Sequence, residues 1–205
     1  MEGKTALESN PPVLNSTLGF FNITKSPIIA DILGGNKVTR GKGSVITLDA
    51  SASRDPDVEP GNYTSMQFTW LCKRREETFP TGPLDSVPVI TASSGPGGGG
   101  CFGTGVGKLA SNLTVVTLET SLMTVDRSYD VKLVVTKDDR KDEFVQEIKI
   151  VSGNPPNVII RCLINCDKIA SESTRISLTT ECTGDPCERA KYHWKLNVVH
   201  FGGVE

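Results

Sequence analysis

The chain has 205 residues, of which 37% are hydrophobic and 22% charged, and its formal net charge is −2. That balance fits ordinary globular material and excludes wholesale disorder. The longest basic run is Lys73-Arg74-Arg75, a solvated strand end, so there is no electrostatic footprint for nucleic acid. No apolar stretch is long enough for a membrane-spanning helix.

Residues 1–25 carry Pro11-Pro12 and Phe20-Phe21 and read as a linker or the end of a preceding module. Ser26 to Ala30 is a short strand that leads into a turn at Gly34-Gly35-Asn36. A second turn at Gly41-Lys42-Gly43 opens the alternating run Val45 to Ala50, and Ser51 to Asp57 is a loop of capping and turn residues. Met66 to Cys72 alternates again as the third strand. The stretch from Glu76 to Lys108 holds Pro80, Pro83, Pro88, Pro96 and Gly97 to Gly100, which predicts a surface loop with no core of its own. Its best anchor is a Cys72–Cys101 bond, which would close a loop of about 30 residues. Leu113 to Leu118 returns to strand composition. Tyr129 to Thr136 is the clearest strand, with Tyr129, Val131, Leu133 and Val135 on one face. A turn over Lys137 to Lys141 joins it to Glu143 to Val151, and that hairpin closes a sandwich.

After Gly153-Asn154-Pro155-Pro156 the pattern restarts. Pro27 precedes Ile46-Thr47-Leu48 by 19 residues, and Pro156 precedes Ile176-Ser177-Leu178 by 20. Each copy then reaches an aromatic-x-Trp strand, Phe68-Thr69-Trp70 and Tyr192-His193-Trp194. Such short strands with a Trp on the third predict an all-β, immunoglobulin-like β-sandwich, one complete over 26–153 and a second truncated over 154–205. Trp70 and Trp194 are expected as core anchors. Half a sandwich exposes the face its missing strands should cover, so 26–153 should fold alone and 155–205 should not.

Six cysteines, Cys72, Cys101, Cys162, Cys166, Cys182 and Cys187, suggest disulfides and an oxidising compartment. The last four also approach zinc-ligand spacing, but both pairs are looser than a C-x2-C knuckle. Asn15, Asn22, Asn62 and Asn112 each head an N-x-[ST] glycosylation sequon, which again points outside the cell. No apolar run follows Met1-Glu2-Gly3-Lys4 as a signal peptide would require, so the chain is expected to be a piece of a longer protein.

Candidate chemistry is sparse. Asp49, Asp55, Asp57 and Glu59 could supply hard oxygens to Ca²⁺, but Asp55-Pro56-Asp57 is equally ordinary turn chemistry. Asp138, Asp139, Asp142 and Glu143 alternate with Lys137, Arg140 and Lys141 as a solvated hairpin tip. The two histidines, His193 and His200, have no nucleophile placed beside them, and Gly97 to Gly100 lacks the Lys-Ser/Thr of a phosphate loop. The sequence therefore predicts no enzyme and no cofactor. A binding role would fall to the loop from Thr78 to Gly107.

Ile46 to Asp57, and the Tyr129 to Asp138 strand, resemble polycystic kidney disease (PKD) repeats. Trp70-x-Cys72, Gly100-Cys101-Phe102-Gly103, Cys162-x3-Cys166 with Asn165, and Cys182 and Cys187 ahead of Tyr192-x-Trp194 form an ordered set. That set is similar to the receptor-for-egg-jelly (REJ) module of the polycystin-1 family, over roughly residues 26–200. Gly184-Asp185-Pro186 between Cys182 and Cys187 departs from the pattern, and pairing among the last four cysteines stays open. The resemblance implies a segment of the extracellular region of a multi-pass membrane protein at the plasma membrane or cilium. It also implies a parent that associates with polycystin-2-type cation channels and is linked to calcium signalling and sensing, with neighbouring modules or an extracellular ligand as partners of this segment. The alternatives are a calcium-dependent adhesion module and an accessory PKD module of a secreted carbohydrate-active enzyme.

Overall fold

A computed structural model describes residues 24–91, 97–165, 173, 175–183, 187 and 191–195. Ten strands occupy them: β1 Lys37–Gly41, β2 Val45–Asp49, β3 Gln67–Arg74, β4 Val89–Ile90, β5 Gly107–Leu109, β6 Val115–Glu119, β7 Ser128–Lys137, β8 Arg140–Val151, β9 Asn157–Ile164 and β10 Ser177–Thr183.

The long strand β7 organises the first eight. Its period-two alternation buries Tyr129, Val131, Leu133 and Val135 on one side and puts Asp130 and Lys132 on the other. Lys137 pairs with Arg140, leaving only Asp138 and Asp139 in the turn to β8. Asp138 takes φ 54°, a left-handed conformation that a short carboxylate side chain tolerates and two-residue hairpins require. The turn is thus tighter than the five residues expected. β3 pairs antiparallel with β7 on its other side, and the full order is β1-β8-β7-β3-β5-β4. Opposite this six-stranded sheet, β2 and β6 form an antiparallel pair. Trp70, Leu133 and Ile148 of the large sheet and Ile46, Leu48, Val116 and Leu118 of the small one share a single hydrophobic core. The molecule is therefore all-β, with a two-sheet sandwich, as the alternation predicts.

Two expectations about this sandwich need correction. Ser26 to Ala30 builds no ladder, because side chains take its backbone groups instead. Ala30 N–H donates to Asp142 at 2.8 Å, and only Ile29 forms a bridge, to Arg54. The strand at this edge is β1, which the sequence hides because Val38 is its one buried apolar side chain. The loop from Glu76 to Lys108 does not simply lie on the surface. Ile90, Cys101 and Phe102 join the main core. Val87 packs with Leu71 and Val134, alongside Phe79, Leu84 and Val106, in a smaller cluster on the outer face of the large sheet. Glycine permits this approach: at Gly100 (φ +52°), an added Cβ would sit 2.6 Å from Ile90 and 2.8 Å from the Cys72 carbonyl.

β9 and β10 form a separate antiparallel pair. Among the described residues no second sheet faces them, and Ile160, Leu163, Ile164, Ile176 and Leu178 stay exposed. Trp194 is 56% exposed, and residues 191–195 belong to no strand. It is no core anchor here, because no facing layer among the described residues covers it.

Candidate functional site

The densest polar constellation lies at the pole where the chain enters the sandwich. Asp55 is only 2% exposed, on the β2–β3 loop. Arg140, the first residue of β8, grips it with two hydrogen bonds, at 2.9 and 2.8 Å, and Lys137 Nζ lies 2.9 Å from Oδ2. The Arg140 hydrogen bonds first, and then Lys137, hold the Asp55 carboxyl far below the usual carboxylate range. Arg140 also donates to Asp57 Oδ2 at 3.2 Å and to the Ser26 carbonyl at 2.9 Å, while Ser26 N–H donates to Asp57 at 2.9 Å. Lys25 reaches Asp138 at 2.7 Å and lowers its carboxyl pKa as well. Charge-assisted bonds therefore clamp the entry segment to the β7–β8 tip.

This arrangement bears on the carboxylates considered as calcium ligands. Asp55 and Asp57 share Arg140, so the positive charge near them comes from the protein's own cations. Asp49 instead accepts the Ser51 N–H at 2.8 Å in a local turn, and Glu59 is exposed. Among the described residues no group of three His, Cys, Asp or Glu is spaced to hold a metal.

A second network runs over the outer face of the large sheet. Lys73 is buried and not the solvated strand end the sequence suggests, because Asp130 meets it at 2.7 Å. Arg75 bridges Asp130 and Glu147, and Lys37 closes on Glu147 at 3.3 Å. The Lys73 and Lys132 ammonium groups lie 4.7 and 4.6 Å from the centroid of the Phe79 ring, which ties the long loop to this face.

Cys72 is bonded to Cys101, with Cα atoms 5.3 Å apart, and Cys182 to Cys187, at 5.7 Å. Cys162 is also in a disulfide, whereas Cys166 lies outside the described residues. Bonded sulfurs cannot serve as the four thiolates of a zinc site. Of the sequons, Asn62 and Asn112 are exposed, and Asn15 and Asn22 lie outside the described residues. His193 is exposed, and His200 also falls outside them.

The family model of the REJ domain matches residues 4–200. The chain belongs to the REJ-domain family. Among curated relatives, the polycystin family receptor for egg jelly of Homo sapiens is 25% identical over 197 residues, and its Mus musculus counterpart 24% over 193. Each match covers 91% of this chain but 8% of the relative. Polycystin-1 of Homo sapiens is 28% identical over 171 residues, covering 78% of this chain and 3% of its own. The chain thus spans less than a tenth of the length of these relatives. A solved nucleoside hydrolase-related protein from Saccharophagus degradans overlaps 62% of this chain and 26% of its own, at 14% identity and a TM-score of 0.37, too distant to carry any argument.

Two features of this REJ domain escape a reading of its sequence. Arg140 and Lys137 look like hairpin-tip charges, and nothing in the one-dimensional pattern pairs Arg140 with a carboxylate 85 positions away. Tyr129, buried at the start of β7, accepts a hydrogen bond from the Thr124 N–H at 2.8 Å, closing a corner upstream of the strand. A Tyr heading a strand a few residues after a turn was the available signal.

Proposed function

We propose that this REJ domain is a non-catalytic, extracellular segment of a polycystin-1-like multi-pass membrane receptor, with an architectural, adhesion or ligand-recognition role. The observation that carries the reading is the direction of the chain through the sandwich. Lys25 and Ser26 bind the β7–β8 tip at one pole. Val151 leaves beside Gly41 at the other, because β1 runs parallel to the end of β8. Entry and exit at opposite poles suit a module in a tandem series with neighbours as its first partners, and β9 and β10 already lie beside it, sharing a cleft with Asp31 to Gly35. An immunoglobulin-like or PKD-like assignment is supported by Trp70 buried on the third strand, by the Tyr129 corner, and by β1 beside the last strand of the sandwich.

The disulfides suit an oxidising space, at the plasma membrane or cilium of the parent. Pairing with a polycystin-2-type channel, and any link to calcium signalling, belong to that parent. Calcium-dependent adhesion is the weaker reading, because Arg140 and Lys137 already neutralise Asp55.

Secretion of the chain behind an added export signal, followed by non-reducing peptide mapping, tests the reading. Cys72 bonded to Cys101, with sugar on Asn62 or Asn112, is the expected result. Free thiols and bare sequons would defeat the extracellular assignment.

A further inference from the structure

The described edges of the sandwich are protected, with one exception. β1 is five residues long and carries Lys37 and Arg40, and β4 has two residues. The outer side of β2 is met by the entry segment, where Leu33 N–H donates to the Asp49 carbonyl at 2.8 Å. β6 has no such cover: among the described residues it pairs only with β2. The Ala50 N–H donates to the Thr114 carbonyl, and the Thr120 N–H to the Ser44 carbonyl. The two-residue repeat of an antiparallel ladder then turns the backbone groups of Val115, Thr117 and Glu119 away from β2.

The residues on this edge suit pairing with another chain. Leu113-Thr114-Val115-Val116-Thr117-Leu118 is rich in β-branched side chains and has no charge, Pro or Gly. That composition marks a segment able to template strands when exposed. Leu113 is 64% exposed and Val115 42%. Beside the edge runs a groove of about 440 Å³, lined by Ile90, Phe102 and Leu109 as well as by β6 itself, where an added strand would seat.

The sequon Asn112-Leu113-Thr114 overlaps the start of that segment. Asn112 is exposed and stands three residues before Val115, about 10 Å at the rise of a strand. We infer that an N-linked glycan on Asn112 covers the free edge of β6 and keeps the sandwich from pairing edge to edge with a second copy of itself. The cover stands at the uncharged start of the edge, since the one charge on β6, Glu119, lies at its far end. In its attachment the Asn112 amide nitrogen loses a proton and bonds the anomeric carbon of an oligosaccharide, whose bond to a lipid diphosphate breaks. Asn62, in the β2–β3 loop with its Oδ1 accepting the Thr64 N–H at 3.0 Å, has no such edge to cover. The inference rests on the extracellular reading, but it fails separately from it.

The test uses the full chain, secreted from cells that glycosylate, first with its sequons mapped. A version with Asn15, Asn22 and Asn62 changed to Gln is then trimmed enzymatically to the first sugar at Asn112 and followed by light scattering and far-UV circular dichroism. The expected result is a monomer before trimming and at least a doubling of average mass after it, with an unchanged spectrum. Thr117→Lys, which places a charge on the edge, should return the trimmed chain to a monomer. Continued monomer after trimming, association that Thr117→Lys does not reverse, or sugar on Asn62 with Asn112 bare would each overturn the inference while leaving the extracellular reading in place. Bare sequons throughout would remove both.

Discussion

Replacing Cys72 and Cys101 together by Ala removes one covalent link and leaves no thiol unpaired. The two positions are 29 apart in sequence. On the chain-entropy account, freeing a loop of that length in the unfolded ensemble lowers stability by roughly 3.6 kcal/mol. For a sandwich of about 130 residues, with an unfolding entropy near 2.1 cal/mol/K per residue, this amounts to a fall in Tm of about 13 °C. Both sulfurs are buried, so the double variant also loses some packing. Reduction of the wild-type chain keeps the buried sulfurs but also opens the Cys182–Cys187 bond and the Cys162 disulfide. The double variant melted with and without reductant therefore supplies the control that isolates the one link. Thermal melts of oxidised, reduced and Cys72→Ala/Cys101→Ala chains in a Trp194→Phe background, followed by the fluorescence of buried Trp70, measure the shift. A reduced chain that melts within about 3 °C of the oxidised one would refute the reasoning. In that case the contacts of Val87, Ile90 and Phe102 would hold the loop as well as the disulfide does.

Other perturbations probe different parts of the same sandwich. Gly100→Ala forces a Cβ against Ile90 and the Cys72 carbonyl at positive φ, and should cost about 2–3 kcal/mol, read as a lower urea midpoint at unchanged m. The Asp55 carboxyl has a lower pKa folded than unfolded, so its pair with Arg140 stabilises above the ordinary carboxylate pKa of about 4, and that stability fades as pH falls below it. Asp55→Asn should accordingly be less stable than wild type at pH 7 and show a shallower loss between pH 4 and 2. Equal slopes for the two in acid urea titrations would show that the pair is not the source. Residues 155–205 expressed alone should be digested quickly by protease, since Ile160, Leu163 and Trp194 lie exposed, whereas 26–153 should resist. Protease resistance of 155–205 would count against that division.

The strands most legible in the sequence are those whose two faces differ. Tyr129, Val131 and Leu133 alternate with Asp130 and Lys132 because one side of β7 meets the core and the other carries a charge ladder, which gives way at Val134 to the apolar cluster under the long loop. β1 has no such signature, since Val38 is its one buried apolar side chain and its place is set by the parallel register with β8. The cysteines drew attention by spacing alone, but the burial of Val87, Ile90 and Phe102 around one of the bonds had no periodic signature. A loop that folds back on a sheet follows the shape of that sheet, not a repeat of its own.

By itself, the amino-acid sequence determined the all-β character, the Cys72–Cys101 link, the positions of the sequons and a kinship with REJ modules. These depend on local alternation, on residue identity and on ordered motifs, all of which survive in one dimension. Only the tertiary structure decided that Asp55 would answer to Arg140 and Lys137, that Trp194 would be exposed where Trp70 is buried, and that β6 beside Asn112 would pair, among the described residues, with β2 alone. Ion pairing, burial and edge status depend on which strands the fold sets side by side, and a strand's own residues do not specify its neighbours.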